Sequence, residues 1–204
     1  MNRPPPKKKL NVLIACEESQ TSCIAFRELG HNAFSCDLQP CSGGHPEWHI
    51  QGDAVEQLAR DWDLVIAHPP CTFLTAAAAR YMWANHHIDK DRLEKAMQAR
   101  ELFYKFYNAD CPHIAIENPR PLKIVNLPWA TQVVQPYEFG EPWSKETHLW
   151  LKDLPLLRPT KILAKFKSYT HCTKGSVQRS KTFPGLAAAW AVQWSTFILE
   201  SDYP

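Results

Sequence analysis

No stretch of this 204-residue chain is apolar for long enough to cross a bilayer. The basic opening MNRPPPKKKL leads into no apolar leader segment, so an intracellular, cytoplasmic protein is expected. The seven cysteines are odd in number and follow no regular framework, which argues against a disulfide scaffold and for reduced thiols. Repeated Cys-x-x-Cys units are also missing. Cys36, Cys41, His45 and His49, Cys111 with His113, and His171 with Cys172 lie close in sequence but lack a zinc-ligand pattern, and no metal is expected. His86-His87 reads as surface. There is no internal repeat and no low-complexity tract. Charge of one sign is nearly absent in the total, which is +2.

What is present is an ordinary soluble composition, 45% apolar and 22% charged, at a length that suits one domain with a full core. The cations are unevenly placed. Lys152, Arg158, Lys161, Lys165, Lys167, Lys174, Arg179 and Lys181 face the single acid Asp153, leaving the rest of the chain net acidic. Residues 151–181 are thus either a reduced target-contacting segment that follows a phosphate backbone or a solvated face. Residues 1–9 read as a disordered basic tail, and 10–200 as the folded domain.

The apolar runs predict strands at Leu10–Ala15, Ala33–Cys36, Leu64–Ala67, HIAIEN, Gln132–Pro136 and His148–Leu151. Between them, helical spacing predicts Thr21–Leu29, with Ile24, Ala25, Phe26 and Leu29 on or near one face and Gly30 as its stop. A short helix is expected over Ala54–Arg60 and a long one over Ile88–Ala109, with Asp89 or Asp91 as cap and Leu93, Met97, Phe103 and Phe106 as anchors. Leu186–Leu199 closes the chain. LQPCSGGHPEWHIQ is read as turn-rich. Strands alternating with helices predict a doubly wound, mostly parallel α/β sheet of Rossmann-like form in a single domain.

In such a sheet, ligands bind where the carboxyl ends of strands meet the following loops. Four ends carry polar residues: Cys16-Glu17-Glu18, Cys36-Asp37, His68-Pro69-Pro70-Cys71 and Glu117-Asn118. Asp37 suits ribose hydroxyls or is a turn residue. Asp53 accepts from an adenine amino group or caps the helix after it. Cys71, taken alone, reads as a buried hydrophobe; with the other three ends in register it reads as a thiol that touches substrate. Trp150, Trp190 and Trp194 belong to the core, whereas Trp143 sits in a turn expected to face the pocket.

VLIACEES, the acid at Asp37, DLVIAHPPCTFLT, HIAIENPRP, FGEPWSKETHLWL and TFPGLAAAWAVQW together resemble the motifs of the cytosine carbon-5 methyltransferases, in order across residues 11–195. The small phage-encoded DNA cytosine methyltransferases are more similar still. The resemblance implies a methyltransferase fold, S-adenosylmethionine as cofactor, DNA or a nucleotide as partner, and a phage or prophage origin. It also implies that Cys71 is a thiolate nucleophile toward carbon 6 of the pyrimidine and that Glu117 activates the ring at nitrogen 3. Asn118 would steady the loop, and Lys145 stands where the family has the first arginine of an Arg-x-Arg pair. Ala15, Cys16, Glu17, Glu18, Asp37, Leu38, Asp53 and Pro69 are the implied cofactor contacts. Pro70, Thr72, Trp143 and Thr147 are the implied substrate contacts.

The sequence departs from the family in three places. CEESQ has no glycine, so its two acids are expected to meet the cofactor's ammonium. Trp143-Ser144-Lys145-Glu146-Thr147 keeps one cation, and Thr72 replaces the usual Gln. With only residues 151–181 left to read a target, a separate recognition protein is a further possible partner. Two rival readings stand beside this one. HPPC can be taken as a variant of the Asp-Pro-Pro-Tyr motif of amino-methyltransferases, or the fold can bind nucleotide, nucleic acid or a host protein without turnover, as a counter-defence factor would.

Overall fold

A computed structural model of the chain describes residues 8–84, 87–169 and 181–201. The first seven residues of the basic tail, His86, His171, Cys172, Lys174 and Arg179 lie outside the described residues. In chain order the elements are β1 (Asn11–Ala15), α1 (Thr21–Glu28), β2 (Asn32–Asp37), β3 (His49–Gln51), β4 (Leu64–Ala67), β5 (Trp83–Ala84) and β6 (His87–Ile88). They continue with α2 (Lys90–Tyr107), β7 (His113–Pro119), β8 (Gln132–Val134), β9 (Trp143–Ser144), β10 (Thr147–Lys152), β11 (Lys167–Ser168) and α3 (Pro184–Ser201).

Seven strands form one sheet in the order β3-β2-β1-β4-β7-β10-β8. The first five run parallel, and β10 runs antiparallel to both β7 and β8. The doubly wound, mostly parallel sheet expected from the sequence is therefore what forms. Its central strands are apolar on both faces because both faces are covered. Val12, Ile14, Leu64 and Ile66 pack with Phe26, Trp190 and Trp194 on the side of α1 and α3. Leu13, Ala15, Val65 and Ala67 pack with Phe103, Phe106 and Trp150 on the side of α2. Alternate residues of one strand serve opposite cores. Among the described residues no helix is long and apolar enough to cross a membrane.

Local corrections have physical reasons. Helix α1 buries Ser22, Cys23 and Phe26 rather than the face expected from Ile24 and Leu29. Leu29 lies beyond its last turn and is 47% exposed, next to Gly30, whose φ of +89° ends the helix. Ala54–Arg60 makes only a 3-10 turn over Glu56–Ala59. Asp89, not Asp91, caps α2: its carboxylate accepts from the Arg92 N–H at 3.0 Å, so the helix starts at Lys90 and His87–Ile88 pairs as a strand instead. The turn-rich segment after β2 hides β3. The segment FGEPWS supplies β9, paired in parallel with β11.

Two family-like segments far apart in sequence meet. Glu141 Oε1 accepts from the Gly185 N–H at 3.0 Å, and a Cβ on Gly185 would lie 2.1 Å from the Phe139 carbonyl oxygen. Only glycine allows that approach.

Candidate active site at the carboxyl edge of the sheet

Strand register assembles the site. Ala15 pairs with Cys36 on one side and Ala67 on the other, and Ala67 pairs with Ile116. The residues that follow, Cys16, Asp37, His68 and Glu117, are therefore neighbours along one edge.

At the β4/β7 end, His68 Nδ1 lies 3.1 Å from Glu117 Oε2, with both side chains mostly buried. Burial pushes the Glu117 carboxyl up, but the His68 hydrogen bond, the Lys145 charge and the His68 charge outweigh it, so its pKa ends below the ordinary value. Asn118 Nδ2 donates to the Pro69 carbonyl at 2.8 Å, which ties the Pro-Pro-Cys loop to the Glu-Asn strand. Pro69 is buried and Pro70 exposed. Cys71 is half-buried at the head of a tight turn, its carbonyl accepting from the Leu74 and Thr75 N–H groups, each at 3.0 Å. Thr72 is exposed, and its carbonyl accepts from Arg92. Lys145 reaches this end from the turn before β10, with its ammonium 5.8 Å from the Phe183 ring.

The β1 end is built differently. Glu17 is 4% exposed, and its two carboxylate oxygens accept the N–H groups of Ser22 at 2.7 Å and Cys23 at 3.2 Å. It thus satisfies the first turn of α1 rather than facing outward. Gln20 locks the loop to the next one, exchanging hydrogen bonds with the main chain of His45 and donating to Ser35. A Cβ on Gly43 would stand 2.6 Å from that of Gln20, so the two loops close on a glycine in the second instead of the first. Cys16 and Gln20 each take φ of +60°, the left-handed conformation that glycine would adopt more cheaply. Glu18 is half-buried beside them.

Asp37 is half-buried at the end of β2, with one oxygen accepting from the Gln39 N–H at 2.9 Å. Asp53 is exposed and accepts from the Val55 N–H at 2.8 Å. Leu38 beside Asp37 is 71% exposed. Burial and the charges of Asp37 and Asp53 push the Cys16 thiol up to about 12, so both acids bear on this one loop. Ala15 is buried within the sheet.

Two expected substrate contacts serve packing. Thr147 is buried and donates its hydroxyl to the Lys145 carbonyl at 3.0 Å. Trp143 is half-buried, its ring edge-on to Tyr169 at 5.4 Å. Trp150, Trp190 and Trp194 are core, as the sequence suggests. The exposed cations Arg158, Lys161, Lys165 and Lys167 follow β10, while the Lys152 ammonium donates to the carbonyls of Ala109 and Cys111. Among the described residues no group of three or more His, Cys, Asp or Glu is placed to hold a metal ion.

Residue type alone singles out neither Gln20 nor Gly43. The sequence places His68 at a strand end, one residue past an apolar run, but not its pairing with a residue 49 positions away.

No protein-family profile and no curated protein matches the chain. Among solved structures it is similar to the Dnmt2 methyltransferase of S. pombe, at 13% identity and a TM-score of 0.43 over 71% of this chain and 49% of that one. It is also similar to the methyltransferase EhMeth of Entamoeba histolytica, at 14% and 0.45 over 76% and 58%. An rRNA methylase from Escherichia coli is similar at 14% and 0.36 over 71% and 58%. The chain thus spans about half the length of the first of these and under two thirds of the others.

Proposed function

We propose that the chain is an S-adenosylmethionine-dependent methyltransferase that acts on carbon 5 of cytosine in DNA or a nucleotide through a covalent adduct of Cys71. One observation carries this reading. Two hydrogen bonds, Asn118 to Pro69 and His68 to Glu117, fasten the loop that bears Cys71 to the strand end that bears Glu117. A nucleophile and a carboxyl on separate chain segments are thereby held at one edge, as addition to a pyrimidine requires.

The donor set at the β1/β2 end fits the cofactor. Asp37 and Asp53 supply acceptors for ribose hydroxyls and an adenine amino group, and Leu38 supplies exposed apolar surface beside them. Glu17 is occupied by α1, which leaves Glu18 as the acid for an ammonium. When bound, the cofactor supplies an electrophilic methyl group. Cys71 as thiolate bonds to carbon 6 and nitrogen 3 takes a proton from the Glu117 side, which leaves carbon 5 nucleophilic. Once carbon 5 carried the methyl group, its proton would pass to solvent as the sulfur–carbon electron pair returned to Cys71, and nitrogen 3 would give its proton back to the Glu117 side. The base must be out of a stack to meet this edge.

The test measures methyl transfer to a cytosine oligonucleotide and covalent trapping on its 5-fluorocytosine analogue. Cys71→Ala is expected to abolish both and leave cofactor binding unchanged. Methylation by the variant would remove Cys71 from the reaction, and no cofactor binding at millimolar concentration would overturn the methyltransferase reading. Binding without transfer to single strand, duplex or nucleotide would favour a non-catalytic binder.

A further inference from the structure

If Glu117 gives a proton to the ring, it must first hold one, yet the site keeps its carboxyl ionised near neutral pH. The geometry points to His68 as the residue that resolves this, and the inference rests on the reading above. We infer that His68 is a positioning residue that shares a proton with Glu117, so that the pair, rather than the carboxyl alone, delivers a proton to ring nitrogen 3.

Two contacts fix its imidazole and a third its main chain. Nδ1 meets Glu117 Oε2 at 3.1 Å, the ring lies 5.7 Å from that of Trp190 on α3, and its own backbone N–H donates to the Ala15 carbonyl at 2.9 Å. Nε2 is buried with no hydrogen-bond partner among the described residues. A buried polar atom left in this way is costly, and a residue kept only for packing would not need it. Of the charged groups around the ring, Glu117 comes from β7 and Glu17 from the loop after β1, its charge coupled to that of His68; Lys145, before β10, acts on Glu117. The imidazole thus stands between two carboxyls, and the Lys145 charge favours the ionised form of the one to which it is bonded.

The proton balance is closed. As Cys71 sulfur bonds to carbon 6, the His68 Nδ1 proton moves to the Glu117 carboxylate, which passes it to nitrogen 3, leaving the carboxylate ionised again and the imidazole neutral. When the sulfur leaves, nitrogen 3 returns its proton to Glu117 and His68 recovers its own. Nothing is consumed in the pair.

The experiment has two arms. The first follows the His68 imidazole by NMR in the protein without ligand, comparing parent with Glu117→Gln, and is independent of any transfer activity. Pairing requires a hydrogen-bonded Nδ1–H signal in the parent that moves upfield in the variant; an unmoved signal overturns the pair. The second compares parent and His68→Gln in methyl transfer to a cytosine oligonucleotide. The expected result is a kcat lower by about 100-fold, a KM within a few-fold, and a displaced alkaline limb of the kcat–pH profile. A lower kcat with an unmoved profile would make His68 merely structural and overturn the inference. Should the parent transfer no methyl group while the NMR arm succeeds, the proposed reaction fails and the proton's destination with it, although the pair itself stands.

Discussion

Glu17 and Glu117 are both carboxyls at strand ends on the same edge of the sheet, and both feel His68, yet their pKa values are shifted in opposite directions. Burial dominates at Glu17 and raises its pKa, although two backbone N–H groups and the His68 charge pull the other way. At Glu117 the imidazole contact and the cation of Lys145 outweigh burial and lower it. The difference lies in what each carboxyl is bonded to. Glu17 is committed to the backbone of α1, so it serves the fold. Glu117 is bonded to another titratable side chain, and such a contact can pass a proton on.

Exchanging the two roles is the largest available perturbation. Glu117→Gln keeps the shape but not the proton, and is expected to lower kcat by about 100-fold or more while the protein stays folded. Glu17→Gln is expected to change kcat by only a few-fold. Single-turnover methyl transfer by both variants checks this, and equal losses would erase the distinction. Glu17→Ala reverses the order when stability is measured. It strands the Ser22 and Cys23 N–H groups in the interior, a cost on the order of 3 kcal/mol by urea denaturation; Glu117→Gln should cost clearly less.

The same contrast marks what the sequence could tell. Strands β1, β4 and β7 are legible because burial on both faces demands continuous apolar runs, and the polar residues after them mark the site edge. Glu17 carries the same polar signal as Glu117, and residue type alone cannot say which acid turns inward to a helix. Glu17 lies three residues ahead of the N-cap position Gln20, outside the spacing of an ordinary cap, so its bonds to Ser22 and Cys23 have no local signal. The short strands β3, β9 and β11 have three or fewer residues each, too few for any period to appear. CEESQ reaches positive φ at Cys16 and Gln20 without glycine, and the Gln20 bonds to His45 and Ser35 that hold the loop are encoded by no local pattern.

A medium-sized effect separates the carboxyls by pH. Glu117 has a lowered folded pKa, so its contribution to stability is complete above the unfolded value of 4.5 and is lost as pH falls through the folded value below it. Glu17 has a raised one, so its contribution is complete below 4.5 and is lost as pH rises through the folded value above it. Relative to the parent, Glu17→Gln should therefore gain stability as pH rises above 4.5, whereas Glu117→Gln should lose it as pH rises toward 4.5 from below. Urea unfolding from pH 3 to 7 reads both slopes, and a shared window would show that the two carboxyls are not shifted in opposite directions.

The smallest effect tests the tether rather than the carboxyls. Asn118 is 1% exposed, donates to the Pro69 carbonyl, and has its Oδ1 buried without a partner among the described residues. Asn118→Ala removes one neutral hydrogen bond and leaves that carbonyl unmet, about 1–2 kcal/mol. Because Asn118 sits between β7's pairing with β10 and the Cys71 loop, the loss should fall on loop position more than on the sheet. Amide exchange would then quicken at Leu74 and Thr75, which close the Cys71 turn, and stay slow at Ile114 and Ile116. Uniformly faster exchange would mean that the asparagine holds the sheet together, and that the loop bearing Cys71 is positioned by other contacts, among them that of Arg92 with the Thr72 carbonyl.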